Sequence, residues 1–142
     1  MRSIYNGSRH YDVAGAKYPS VTSILSETKS QKDKDALLKW KKDVGFKQAA
    51  VISKESSDRG TSLHQYLESI LLNKMNGELL EETNLPKKMA ETIVENGIND
   101  QISEVYGCEA VLYYDQNYKF AGTADAIVSS SDNKIKILDF KQ

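Results

Sequence analysis

The apolar residues change their period near residue 106, and this switch does most to limit what the chain can fold into. Ahead of it the spacing is helical, apart from a short extended entry around His10-Tyr11-Asp12-Val13 and Tyr18. Ser20 follows Pro19 and precedes Val21, Ile24 and Leu25, which share one helical face, so a first helix is expected to start there. A second is expected from about Asp33 through Trp40 to Val44, on the recurrence of Ala36, Leu37, Trp40 and Val44. Gly45 either interrupts it or is absorbed at about 1 kcal/mol relative to alanine. A third stretch runs through Ala49 and Ile52, past His64, to about Asn73, with Leu63, Leu67, Ile70 and Leu71 as its apolar stripe. Gly60 inside it marks a break or a close packing contact, and Asn76-Gly77 reads as its stop. A further helix is expected from Pro86 to about Val105, with proline in the first turn and Met89, Ile93, Ile98 and Ile102 toward the core.

After Tyr106-Gly107 the period falls to two. Glu109 to Tyr114 and Tyr118 to Val128 are candidate strands, Ser129 to Asn133 a polar turn, and Lys134 to Lys141 a third strand. The fold class that follows is α/β: a single domain over 1–142, helical over 19–105, with a three-stranded antiparallel meander over 107–142. Its 142 residues suffice for one core. The longest apolar runs are too short to span a bilayer, and the start lacks a secretory pattern, so no membrane partner is expected. One cysteine, Cys108, cannot close an internal disulfide, which fits a reducing intracellular compartment. With only His10 and His64 beside it, structural zinc is excluded. The net charge of −1 requires any contact with phosphate to come from a local patch or from bound cations.

The chemistry concentrates on the last strand. Alternation places Ile135, Ile137, Asp139 and Lys141 on one face, so an acid and a lysine are expected to be partly withdrawn from water beside two isoleucines. A hairpin centred on Asp132 opposes Ile127 to Ile137 and, in the same register, Asp125 to Asp139. Carboxylates directly across a strand pair lie roughly 5 Å apart, where their repulsion is roughly 3 kcal/mol at an effective dielectric near 20. A shared proton, the Lys141 ammonium or a divalent cation would relieve it. Oxygen ligands at this spacing suit Mg²⁺ or Mn²⁺, which would polarise a phosphate and activate water while Lys141 orients or deprotonates it. The plain alternative is a surface hairpin with an Asp139–Lys141 pair. The acid-x-lysine triplet also occurs at Glu27-Thr28-Lys29 and Asp132-Asn133-Lys134, so its context carries the reading. Gly122-Thr123 ahead of Asp125 would leave space beside the carboxylates.

Gly122-Thr123-Ala124-Asp125 followed by Ile137-Leu138-Asp139-Phe140-Lys141 resembles motifs II and III of the PD-(D/E)XK nuclease superfamily, in its RecB-like exonuclease branch. Arg59-Gly60-Thr61-Ser62-Leu63-His64 resembles that branch's helical motif. Tyr18-Pro19-Ser20-Val21-Thr22-Ser23-Ile24-Leu25 and Trp40 further resemble the phage and mitochondrial-genome-maintenance exonucleases. The likeness covers roughly residues 9 to 142. It implies a restriction-endonuclease-like core, with Asp125, Asp139 and His64 as ligands of Mg²⁺ or Mn²⁺ and Lys141 as the catalytic lysine. Glu109 resembles the family's additional acid, and Glu68, one turn beyond His64, would orient its imidazole or face solvent. The implied activity is a metal-dependent DNA exonuclease acting at single-stranded ends, in a bacterial or phage-infected cytoplasm.

The residue after the lysine is Gln142, where such nucleases commonly carry threonine, and the family's next core helix would follow it. The expectation is an N-terminal piece of a longer protein or a truncated product, with the fold incomplete at its C-terminus. A non-catalytic nucleic-acid-binding or protein-interaction domain is the rival reading, and a different phosphoesterase a third. Lys39, Lys41, Lys42 and Lys47 cluster around Trp40, but Asp35 and Asp43 interleave with them, which favours a solvated face over DNA contact. Tyr113, Tyr114 and Tyr118 are candidates for base stacking, with strand packing the commoner use of such residues.

Overall fold

The computed structural model describes residues 1–72 and 84–141. The expected stop at Asn76-Gly77 and the residue Gln142 lie outside the described residues. The architecture is mixed α/β, with four α-helices and two small three-stranded antiparallel sheets among the described residues. Contacts divide the chain into two compact units, one formed by 1–50 with 111–123, the other by 51–110 with 124–142.

The first unit opens on a sheet where the sequence suggested only an extended entry. Strands β1 (Arg2–Tyr5), β2 (Ser8–Val13) and β3 (Ala16–Pro19) form an antiparallel meander. Two two-residue turns make it. Asn6 and Gly7 have φ +49° and +77°, and Ala14 and Gly15 have +48° and +81°, so each pair is left-handed throughout, as the favoured hairpin turn requires. Tyr11 pairs with Tyr18 across β2 and β3, and both rings are buried with Ala121. The Tyr11 hydroxyl shares a 2.8 Å hydrogen bond with Thr123 Oγ1.

Ser20 caps α1 (Val21–Glu27) as expected, its hydroxyl accepting from the Ser23 N–H at 3.0 Å. Helix α2 (Gln31–Val44) starts two residues before the expected Asp33, because Ser30 accepts from the Asp33 N–H and takes the cap. Gly45 does interrupt: its φ of +92° separates α2 from α3 (Phe46–Leu71).

Helix α3 is continuous through Gly60 and supplies the core of the second unit. Leu63 and Leu67 are fully buried against Tyr66 and Ala90, with Ile70, Met89, Ile93, Val94 and Phe140 packed around them. Helix α4 (Leu85–Ile93) is capped by Asn84, which also donates to the Tyr66 hydroxyl at 3.0 Å, and Pro86 lies in its first turn. The expected helix to Val105 is too long. A π-helical turn, Val94–Ile98, follows α4, Asp100 is left-handed at φ +64°, and strand β4 (Ile102–Tyr114) begins well before Tyr106. Asn96-Gly97 and Asn99-Asp100 are helix breakers that the apolar spacing of Ile93, Ile98 and Ile102 concealed.

The second sheet has the order β4–β5–β6, with β5 at Phe120–Ser130 and β6 at Ile135–Leu138. Its register is the expected one: Ile127 faces Ile137, and the ladder ends at Ala126 opposite Leu138. The expected burial is not. Ile135 and Ile137 are 72% and 61% exposed, so the face they share with Asp139 is open to solvent. Strand β6 is also shorter than expected and stops before Asp139.

Candidate metal centre

All six residues singled out from the sequence belong to the second unit. His64 sits on α3 one residue beyond the fully buried Leu63, so packing of Leu63 and Leu67 fixes the helix face on which the imidazole emerges. Its ring stands edge-on to Phe140, with centroids 6.1 Å apart. Nε2 lies 3.2 Å from the Phe140 carbonyl oxygen and Nδ1 lies 3.4 Å from Asp125 Oδ1. A carbonyl can only accept, so Nε2 carries the proton of that contact. In the neutral ring Nδ1 then turns a bare lone pair toward a carboxylate oxygen. Two acceptors facing each other need a proton or a cation between them.

Asp125 leaves β5 beside the point where β6 ends. Where the ladder would have continued to Asp139, the Phe140 N–H donates instead to Asp125 Oδ2 at 2.7 Å. Phe140 thereby positions both neighbours, through its amide to Asp125 and through its carbonyl to His64. Such outer contacts fix the orientation and tautomer of metal-binding side chains elsewhere.

Glu109 completes the group. One ligand atom from each of His64, Glu109 and Asp125 lies within 4.8 Å of the others, each residue coming from a different element. Glu109 is left-handed at φ +50° inside β4, an unfavourable conformation for a residue with a β-carbon. Strain of this kind persists where surrounding structure imposes it, and it collects at functional sites.

Asp139 and Lys141 are not part of this convergence. Lys141 Nζ bonds both oxygens of the Asp139 carboxylate, at 2.8 and 2.9 Å, and both side chains are largely in solvent. The Asp139 hydrogen bond, then its charge, with a smaller contribution from Asp125, hold the Lys141 ammonium above its usual 10.5. The pairing favours the charged form of Lys141, which suits the orienting role expected of it. Glu68 is half-buried one turn beyond His64, and its carboxylate makes no hydrogen bond to the imidazole among the described residues.

The sequence reading set His64, Asp125 and Asp139 around one ion with Glu109 as an additional acid, whereas the structure gathers His64, Asp125 and Glu109 and leaves Asp139 on Lys141. The residue that sequence reasoning missed is Phe140, whose contribution is made by its backbone. The only available signal was its place between Asp139 and Lys141.

A scan of protein-family models and searches of curated proteins and solved structures find no match to the chain.

One imidazole nitrogen and two carboxylates make a mixed donor set that a divalent cation can accept, the carboxylates suiting harder ions such as Mn²⁺ and the imidazole softer ones. Ligands around such an ion lie roughly 3 to 4 Å apart, given metal–oxygen distances of about 2.1 Å. His64 Nδ1 and Asp125 Oδ1, 3.4 Å apart, already meet that spacing, and the widest separation in the group, up to 4.8 Å, would close by about 1 Å around a bound ion.

Proposed function

We propose that this protein is a metal-dependent nuclease that hydrolyses phosphodiester bonds at single-stranded DNA ends. The observation that carries this reading is the meeting of His64, Glu109 and Asp125 within 4.8 Å, with Nδ1 of His64 3.4 Å from the Asp125 carboxylate. It draws further support from the resemblance of the segments around His64, Asp125 and Asp139 to the RecB-like branch of the PD-(D/E)XK nucleases.

The ion, when bound, supplies Lewis acidity to a phosphate oxygen and lowers the pKa of a water molecule. The remaining work belongs to the chain. His64 and Asp125, locked by Phe140, hold two ligand positions, and Glu109 supplies the third from the opposite strand. Lys141, kept charged by Asp139, stabilises negative charge developing on the phosphate; in this reading Asp139 positions the lysine in addition to any contact with the metal.

The rival is a domain that binds nucleic acid or protein without cleaving. It draws on the closed Asp139–Lys141 pair, which is the surface ion pair of an ordinary hairpin. Release of nucleotides from end-labelled single-stranded DNA in Mn²⁺ or Mg²⁺ separates the two. Asp125→Asn, which keeps the side-chain shape, is expected to lower the rate by at least a hundredfold, in the range lost with a metal ligand or its orienting partner. Equal rates for the two proteins would reject the assignment, and cleavage by neither would favour the rival.

A further inference from the structure

The net charge of −1 divides unevenly. The unit of residues 1–50 and 111–123 carries eleven lysines and arginines against six acids, net +5, and the other carries eight against fourteen, net −6. Within the acidic unit lies a cleft of about 590 Å³ that shares no described residue with the metal centre.

Its walls come from the end of α3, the π-helical turn and the first residues of β4. Ile70, Leu71, Val94, Ile98, Ile102 and Val105 make them apolar, and Asp100 and Glu104 are the charged residues of the described lining. Hydrogen bonds hold this shape. The π-helical turn closes with the Asn99 N–H donating to the Val94 carbonyl at 2.8 Å, and the Gln101 N–H donates to the Ile98 carbonyl at 3.0 Å. The Gln101 carbonyl accepts from the Ser131 N–H at 3.0 Å, and the Ser103 hydroxyl donates to the Ser129 carbonyl at 3.2 Å. Turns of the π type are rare and are frequent at functional sites. The two carboxylates are differently placed. Asp100 and Glu104 are exposed, and neither side chain has a hydrogen-bond or ion-pair partner among the described residues.

We infer that this cleft binds a small molecule with an apolar body and one positive charge, an alkylamine or arylalkylamine. The body lies against the apolar walls and the ammonium meets the carboxylates of Asp100 and Glu104. The volume falls within the roughly 300–1,000 Å³ of small-ligand sites. Apolar walls left in water favour an apolar occupant. Two carboxylates on one cleft, with no cation among the described lining residues, favour a positive one. A divalent ion alone would satisfy the carboxylates and leave the apolar walls wet, and a nucleotide would bring its phosphates to an acidic mouth. Because no described residue is shared with the metal centre, amine binding can fail while metal binding survives, and the reverse.

The test is an NMR titration of the isotope-labelled full chain, following backbone amides, with phenylbutylamine, phenylbutanol and phenylbutyrate, which share one apolar body and differ in charge. Saturable shifts confined to residues 70–72 and 94–105 are expected. The amine should bind about tenfold or more tighter than the alcohol, the usual gain of a hydrogen bond to a charged group, and the carboxylate weakest. Asp100→Asn with Glu104→Gln keeps the shape of both side chains, and asparagine suits the left-handed backbone at position 100, where φ is +64°. In that variant the amine should bind no better than the alcohol. Ile102→Ser, at the apolar wall, should weaken amine and alcohol by a common factor, with the unshifted amides reporting that the fold is kept. Repeating the titration in Mg²⁺ and in a chelator should give the same affinities. Equal affinity of amine and alcohol in the wild type, tighter binding of the carboxylate, or an amine preference that survives the double substitution would each overturn the inference. So would displacement of the amine by Mg²⁺, shifts that map elsewhere, or the absence of saturable shifts.

Discussion

At the scale of single residues, the reading turns on which groups carry protons. The Phe140 carbonyl assigns the Nε2 proton of His64, and that assignment leaves Nδ1 to the metal side. Lys141 offers a direct check of the electrostatics. Its pKa is raised by Asp139, so Asp139→Asn should move the lysine titration down toward 10.5, as followed by NMR of the side-chain methylene next to Nζ. The sign fixes the window: a raised folded pKa gives a contribution fully present below 10.5 and lost as pH rises through the folded value. Activity at neutral pH should therefore be insensitive to Lys141 ionisation, yet Lys141→Ala should lower it by about a hundredfold or more, the usual range for a positioned charge at the reacting phosphate. A Lys141 titration unmoved by Asp139→Asn would show that the pair does not persist in solution.

The elements show how far sequence reasoning reaches. The apolar face of α3 was legible because burial imposes a regular period: the stripe that begins at Leu63 and Leu67 is the core of the second unit, whereas the apolar faces read for α1 and α2 bury no residue. Replacing Leu67 by alanine should cost about 2–5 kcal/mol, read as a fall in denaturation midpoint, because the side chain is fully buried. A loss below about 1 kcal/mol would mean that this packing is not the core. The β5–β6 register was equally legible, since pairing Ile127 with Ile137 is compatible with a single turn. Three features were not. The N-terminal sheet depends on left-handed turns, and Asn6-Gly7 signalled one of them, whereas Ala14-Gly15 carries an alanine that sequence rules disfavour there. The left-handed Glu109 lies inside a strand, where alternation gives no warning of it. The end of β6 depends on Asp125 capturing the Phe140 amide, a side-chain bond that competes with the ladder. Each is a choice by one residue against the local pattern, and pattern alone cannot forecast it.

For the whole molecule, composition concealed more than it showed. A net charge of −1 is the balance of a +5 unit with a −6 unit, and the acidic one holds the candidate centre. Among the described residues no helix is long and apolar enough to cross a membrane. The candidate centre was legible in part. His64, Asp125 and Glu109 were all named from the sequence, but the weight fell on Asp139, because strand register makes opposed carboxylates obvious and cannot see a helix approaching from elsewhere in the chain. The central claim is that these three side chains bind one divalent ion. Isothermal titration calorimetry with Mn²⁺ tests it most directly: one site per chain is expected for the wild type, lost in Asp125→Asn and weakened at least tenfold in Glu109→Gln and His64→Ala. Heats that are absent in the wild type, or identical across all four proteins, would contradict it.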